Sequence, residues 1–203
     1  MSKIPLELEN PIDKLIIRGC EILTPKIRSL NIYILPDYST KVIPNHITTF
    51  SFFTGLYSIN MLSCGFPKIS VIFLFISYFF DCLDGFYARS YGMVTVFGDY
   101  YDHITDWLIN TGYMWVLCRY KEFSVVVGVA CILVPLLAIQ MIHLSAVEKY
   151  YDNPKESQSL IFIKKIINNI DSRKKSVKYL NWSKYFGCGT YYMVLILITL
   201  IVY

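Results

Sequence analysis

DCLDGFYARSYGMVTVFGDYYDHITD, residues 81–106, sets four carboxylates, Asp81, Asp84, Asp102 and Asp106, in a strongly apolar neighbourhood. The first two are three residues apart and the last two four apart, so on helices each pair shares one face. Gly92 and Gly98 lie between the pairs, in a segment short enough to be a turn. Two antiparallel helices are therefore expected, with all four carboxylates brought together. Four negative charges in a weakly solvated site need cations or protons. All-oxygen ligation suits a hard ion, Mg²⁺ or Mn²⁺, and two ions match the charge better than one.

Over its length the chain reads as an all-α, polytopic membrane helix bundle. Apolar residues make up 55% of its 203 residues, against roughly 45–50% in soluble domains, and they are bunched in long runs. Five runs are expected to span: 46–64, 67–88, 98–118, 123–144 and 185–203. The fourth is 22 residues without a charge, long enough to cross about 30 Å of hydrocarbon. Pro135, Gln140 and His143 dot it, and a lone His near a helix end reads as structural. Six scattered cysteines with no C-x-x-C pair read as small apolar filler, not as a disulfide framework or zinc site. Charges stud the first 30 residues evenly, so no signal peptide is expected there.

Residues 11–30 place Ile12, Leu15, Ile16, Cys20, Leu23, Ile27 and Leu30 on a helical stripe, with Asp13, Lys14, Arg18 and Glu21 off it. This is too charged to span. It reads as an amphipathic helix on the membrane surface, with packing against the cytosolic end of the bundle as the alternative. Residues 1–45 thus form a cytosolic amphipathic segment and 46–203 the membrane domain. Within 145–184, a basic stretch with nine Lys and Arg, LIFIKKIINNI is short and interrupted by Lys164 and Lys165, so it reads as interfacial. With the N-terminus in the cytosol, 1–45 holds six basic residues, the turn holds Arg89 and 145–184 holds nine; the opposite side holds only Lys68, Arg119 and Lys121. That bias sets the orientation. It puts the four aspartates on the cytosolic side and, with five spans, the C-terminus outside.

At residues 81–106 the chain resembles the CDP-alcohol phosphotransferases of phospholipid synthesis. Their signature D-x2-D-G-x2-A-R-x8-G-x3-D-x3-D is met at Asp81, Asp84, Gly85, Ala88, Arg89, Gly98, Asp102 and Asp106. The resemblance implies transfer of a substituted phosphate from a CDP-linked donor to an alcohol hydroxyl, with release of CMP. It implies metal ions on Asp81, Asp84 and Asp102, and Asp106 as the base for the acceptor hydroxyl, with Asp106 also placed to touch metal. Gly85 and Ala88 lack bulk, which would let a planar base and diphosphate approach, and Arg89 offers a fork of donors for phosphate oxygens. Gly98 would allow close helix contact. Asn45 and Thr48 resemble the family's P-N-x-x-T entry, which helps hold the nucleotide; plain helix capping reads equally well.

The substrate stays open at this point. His103 after Asp102 resembles the Asp-His pair of choline and ethanolamine phosphotransferases, which use CDP-aminoalcohols. The chain's size is closer to that of enzymes taking CDP-diacylglycerol and a small polar alcohol, and the connector SYGMVTVF carries no basic residue, which weakens a phosphorylated acceptor. The expected partners are the donor, an alcohol acceptor and membrane lipids, with a homodimer left open and no nucleic acid. Family members typically have six spans, one more than the five expected here. Two other functions compete: a catalytically inactive nucleotide-binding member, and an ion or proton transporter using the aspartate cluster.

Overall fold

A computed structural model describes residues 7–35, 38–119, 121–150 and 180–203. The interfacial reading of residues 160–170, and most of the basic stretch around it, lies outside the described residues. In order come helix α1 (Pro11–Arg28), strands β1 (Asn31–Leu35) and β2 (Tyr38–Lys41), and helices α2 (Pro44–Ser63), α3 (Pro67–Ser90), α4 (Val96–Cys118), α5 (Phe123–Tyr150) and α6 (Cys188–Val202). A helical turn at 180–183 and a 3-10 turn, Lys184–Phe186, lead into α6. The architecture is a helical membrane bundle. The small antiparallel hairpin, pairing Ile32 with Thr40 and Tyr33 with Ser39, is an addition to the expected all-α plan. β-Branched and aromatic residues at these positions favour extended backbone.

Local chemistry fixes the helix ends. Pro44 and Pro67 stand in the first turns of α2 and α3, where a missing N–H costs nothing. α3 ends at Ser90, and two residues on, Gly92 takes a φ of +65° that suits a residue without Cβ, while Met93 N–H closes back on Ala88 O at 2.8 Å. Thr95 then caps α4, its hydroxyl accepting from Gly98 N–H at 3.0 Å.

Among the described residues, three helices are long and apolar enough to cross a membrane: Pro67–Ser90, Phe123–His143 and Leu180–Val202. The other two runs expected to span form helices of 20 and 23 residues, α2 and α4, that fall short in apolarity. Their polar side chains are the reason. In α2 these groups turn inward and bond to α3: Ser51 Oγ donates to Ser77 O at 2.7 Å, Ser77 Oγ to Ser51 O at 2.9 Å, and Ser58 Oγ to Ser70 O at 2.8 Å. Hydroxyls paired between helices are how a polar helix survives in lipid. The chain continues from Ser70 Oγ to Tyr113 Oη at 3.3 Å and from there to Thr199 Oγ1 at 3.2 Å.

The chain divides into two compact units. One holds Leu15–Lys121 with Thr199–Tyr203; the other holds Glu122–Ile198 with the N-terminal stretch ending at Lys14. In the second, Leu8, Val147 and Leu180 form a buried cluster, and Asn10 Nδ2 donates to Lys184 O and Thr190 Oγ1 at 2.9 and 2.8 Å. His143 is structural as expected: buried, with Nδ1 2.6 Å from Ser183 Oγ and Nε2 3.3 Å from Leu8 O.

In the first unit α2 packs on both α3 and α4, and Gly55 is where the three meet. A Cβ there would lie 2.8 Å from Ile109 Cδ1 and 2.9 Å from Ser77 Oγ, which is already committed to Ser51 O. Gly55→Val therefore overpacks the contact and is expected to destabilise the protein by about 1–3 kcal/mol. A thermal-unfolding scan in detergent checks this; an unchanged midpoint would show that the helices do not approach so closely.

Candidate active site

α3 and α4 deliver the four aspartates as the spacing predicted, each pair from one helix. Their arrangement is not a symmetric square. Asp81, Asp102 and Asp106 form a group in which one carboxylate oxygen from each lies within 4.8 Å of the others. Asp81 is within hydrogen-bonding reach of both Asp102 and Asp106. Asp84, only 3% exposed, stands outside that group, with Asp102 its foremost charged neighbour and the Thr48 hydroxyl against it.

Two carboxylate oxygens, Asp84 Oδ2 and Asp102 Oδ1, are buried and without a hydrogen-bond partner. Unpaired buried carboxylate oxygens are costly, and a cation is the ligand that satisfies them. The donor set is all oxygen, so it fits a hard divalent ion better than a soft one. His103 Nδ1 lies 3.6 Å from Asp102 Oδ2, with the imidazole about one-third exposed, so it sits at the edge of the carboxylate group.

The other residues singled out in the sequence gather around the same end. Asn45 and Thr48 lie in the first turns of α2, and neither is the cap. Ile43 holds that position, its N–H bonded to His46 Nδ1 at 3.3 Å. Asn45 faces the start of α4, where a Cβ on Gly98 would come within 3.3 Å of Asn45 Oδ1. Gly98 thus allows the close contact expected of it. Ala88 is half-buried. The space over Gly85 is different from expectation, because the guanidinium of Arg89 folds back across it. A Cβ at Gly85 would meet Arg89 Nη1 at 3.0 Å.

Two contributions were missed in the sequence. Thr95 caps α4 and so sets the entry of the helix that carries Asp102; a Thr just before an apolar helical run was the available signal. Tyr101 Oη lies 3.0 Å from Thr49 Oγ1, tying α4 to α2 one residue before Asp102, and nothing in the sequence announced it. Cys20 of α1 is fully buried beside this end of α3. Burial pushes its thiol up to about 12, with the charge of Arg89 acting against that rise and that of Asp84 adding to it. All six cysteines are free.

A family model described as CDP-alcohol phosphatidyltransferase matches residues 41–201. No curated protein and no solved structure matches the chain.

Proposed function

The chain belongs to the CDP-alcohol phosphatidyltransferase family, and from that premise we propose that it transfers a substituted phosphate from a CDP-linked donor to an alcohol in a metal-dependent reaction that releases CMP. The observation that carries the metal half is the pair of unpartnered buried oxygens, Asp84 Oδ2 and Asp102 Oδ1, beside the Asp81–Asp102–Asp106 group.

Asp81, Asp84 and Asp102 would hold one or two Mg²⁺ or Mn²⁺ ions, with Asp106 close enough to share in ligation. A divalent cation bound there supplies charge neutralisation for the donor's diphosphate and for the departing phosphate. The protein's own groups do the rest. Arg89 presents two parallel donors to phosphate oxygens once its guanidinium swings off Gly85, uncovering a backbone low enough for the diphosphate. Asn45 and Thr48 bound the nucleotide on the α2 side. Asp106 takes the proton from the acceptor hydroxyl. The acceptor oxygen forms a bond to the donor phosphorus, the bond from that phosphorus to the CMP oxygen breaks, and CMP leaves with the electron pair.

The donor is identified by supplying CDP-choline, CDP-ethanolamine and CDP-diacylglycerol in parallel to the purified protein in lipid, with diacylglycerol or small polar alcohols as acceptors, and measuring CMP. One donor class is expected to give turnover. Donor binding without CMP from any of them would leave a nucleotide-binding protein and sink the enzymatic reading.

The site is read as cytosolic, where cytidine nucleotides are available, with residues 1–45 on that side and 46–203 as the membrane domain of five spans. Asn181-Trp182-Ser183 reports on this topology. Asn181 is exposed, yet on the cytosolic face no glycosyltransferase reaches it, so expression in a eukaryotic secretory membrane should yield no glycan there. A glycan at Asn181 would require residues 158–170 to cross the bilayer, burying Lys164 and Lys165 at roughly 2.5–3.5 kcal/mol each. It would also restore six spans.

A further inference from the structure

α1 has two faces, and only one belongs to the bundle. At about 100° per residue, Ile16, Cys20 and Thr24 share a face, and all three are buried. Gly19 beside them leaves room for the Phe79 ring, which a Cβ would meet at 3.0 Å. Cys20 feels the charges of Arg89 and Asp84, and the Arg28 guanidinium lies over the Tyr91 ring at 4.9 Å from its centroid. The inner face is therefore set against the part of α3 that runs from Phe79 through Asp84 and Arg89 to the turn.

On the opposite side of the same helix stand Leu15, Arg18, Ile22 and Lys26, spaced three, four and four. All four are exposed, Leu15 at 66% and Ile22 at 62%. Exposed aliphatic side chains are common on this protein, but these two lie on one strip of one helix. Their interleaving with two cations decides what the strip meets: aliphatic side chains enter the acyl boundary while Lys and Arg reach back to phosphates, which is the composition of a helix lying on a negatively charged bilayer. The basic residues would have no counterpart in a hydrocarbon-facing groove. Glu21 lies to one side, off the line joining the four.

We propose that α1 is an anionic-lipid sensor: its Leu15–Arg18–Ile22–Lys26 strip docks on a negatively charged bilayer surface, and its inner face transmits that docking to the Asp84–Arg89 end of α3. The docking stands on α1 alone; the transmission rests on the reading of that end of α3 as the donor site, so the two need separate readouts.

The full-length protein is placed in nanodiscs of phosphatidylcholine alone or with about one-third phosphatidylserine. Amide exchange over residues 15–28 reads docking, and CMP release reads transmission. Exchange should slow by about tenfold in the anionic discs, and CMP release should rise severalfold, both gains fading at high salt. The double variant Arg18→Gln/Lys26→Gln should lose both gains while matching the parent in phosphatidylcholine. Exchange that is indifferent to lipid charge overturns the proposal. So does protection of the strip that appears only in discs holding two copies, since the occupant would then be a second chain. Docking with CMP release equal in both lipids overturns the transmission. Docking with no CMP release in any lipid supports the sensor's lipid contact and contradicts the reading of the site instead.

Discussion

Asp102→Asn is expected to lower CMP release by about a thousandfold, or about 4 kcal/mol of barrier, while making the metal-free protein more heat-stable. The two signs have one cause. Asp102 belongs to the group with Asp81 and Asp106, is the foremost charged neighbour of Asp84, and has one oxygen buried without a partner. Asparagine keeps its shape and removes one negative charge from a site that has too many. Without a cation the change relieves repulsion, so unfolding moves to higher temperature. With substrate and cation present it would remove one of the proposed charged ligands, so turnover should collapse. The same variant should also lose most of the stabilisation that Mn²⁺ gives the parent. Scans with and without Mn²⁺, beside a CMP assay, read all three. A variant that is both inactive and less stable without metal would mean that Asp102 is a packing residue.

Asp106→Asn should cut turnover by about a hundredfold or more while leaving donor affinity closer to the parent than Asp81→Asn does. Asp106 sits one turn after Asp102 on the same face of α4, and its backbone carbonyl accepts from Asn110 Nδ2 at 2.9 Å, so helical packing holds it in place. As the proposed proton acceptor it would matter in the transition state more than in the donor complex, and the loss should fall on kcat. Binding of a CDP-linked donor, measured separately from turnover, distinguishes the roles. If affinity falls as far as in Asp81→Asn, Asp106 serves chiefly as a ligand, in keeping with its place among the three grouped carboxylates.

The helices around the site were legible because their signals are local. Three- and four-residue spacings put each aspartate pair on one face, Gly92 marks the turn, and the family signature runs unbroken from Asp81 to Asp106. What was not legible depends on neighbours distant in sequence. Asn45 and Thr48 could be read as caps or as site residues, and only the packing of α2 against α3 and α4 takes Asn45 to Gly98 and Thr48 to Asp84. Arg89 covering Gly85 is a rotamer choice that no spacing encodes. The amphipathic stripe of residues 11–30 predicted a helix, yet it merged two faces. Ile16 and Cys20 turn into the protein while Leu15 and Ile22 on the other side of α1 stay exposed, and Leu30 lies past the end of the helix. Apolarity alone likewise assigned α2 to the spans on the same footing as α5, whereas its serines are sequestered against α3.

The four aspartates are proposed as a hard-cation site serving transfer from a CDP-linked donor. The most direct test is CMP release by the purified protein in lipid, with the donor panel, in EDTA and then with Mg²⁺ or Mn²⁺ added back. No release is expected in EDTA, recovery is expected with either ion, and no recovery in Asp81→Asn or Asp102→Asn. Full activity in EDTA, or metal or proton flux into liposomes with no nucleotide present and no CMP formed, would contradict that assignment.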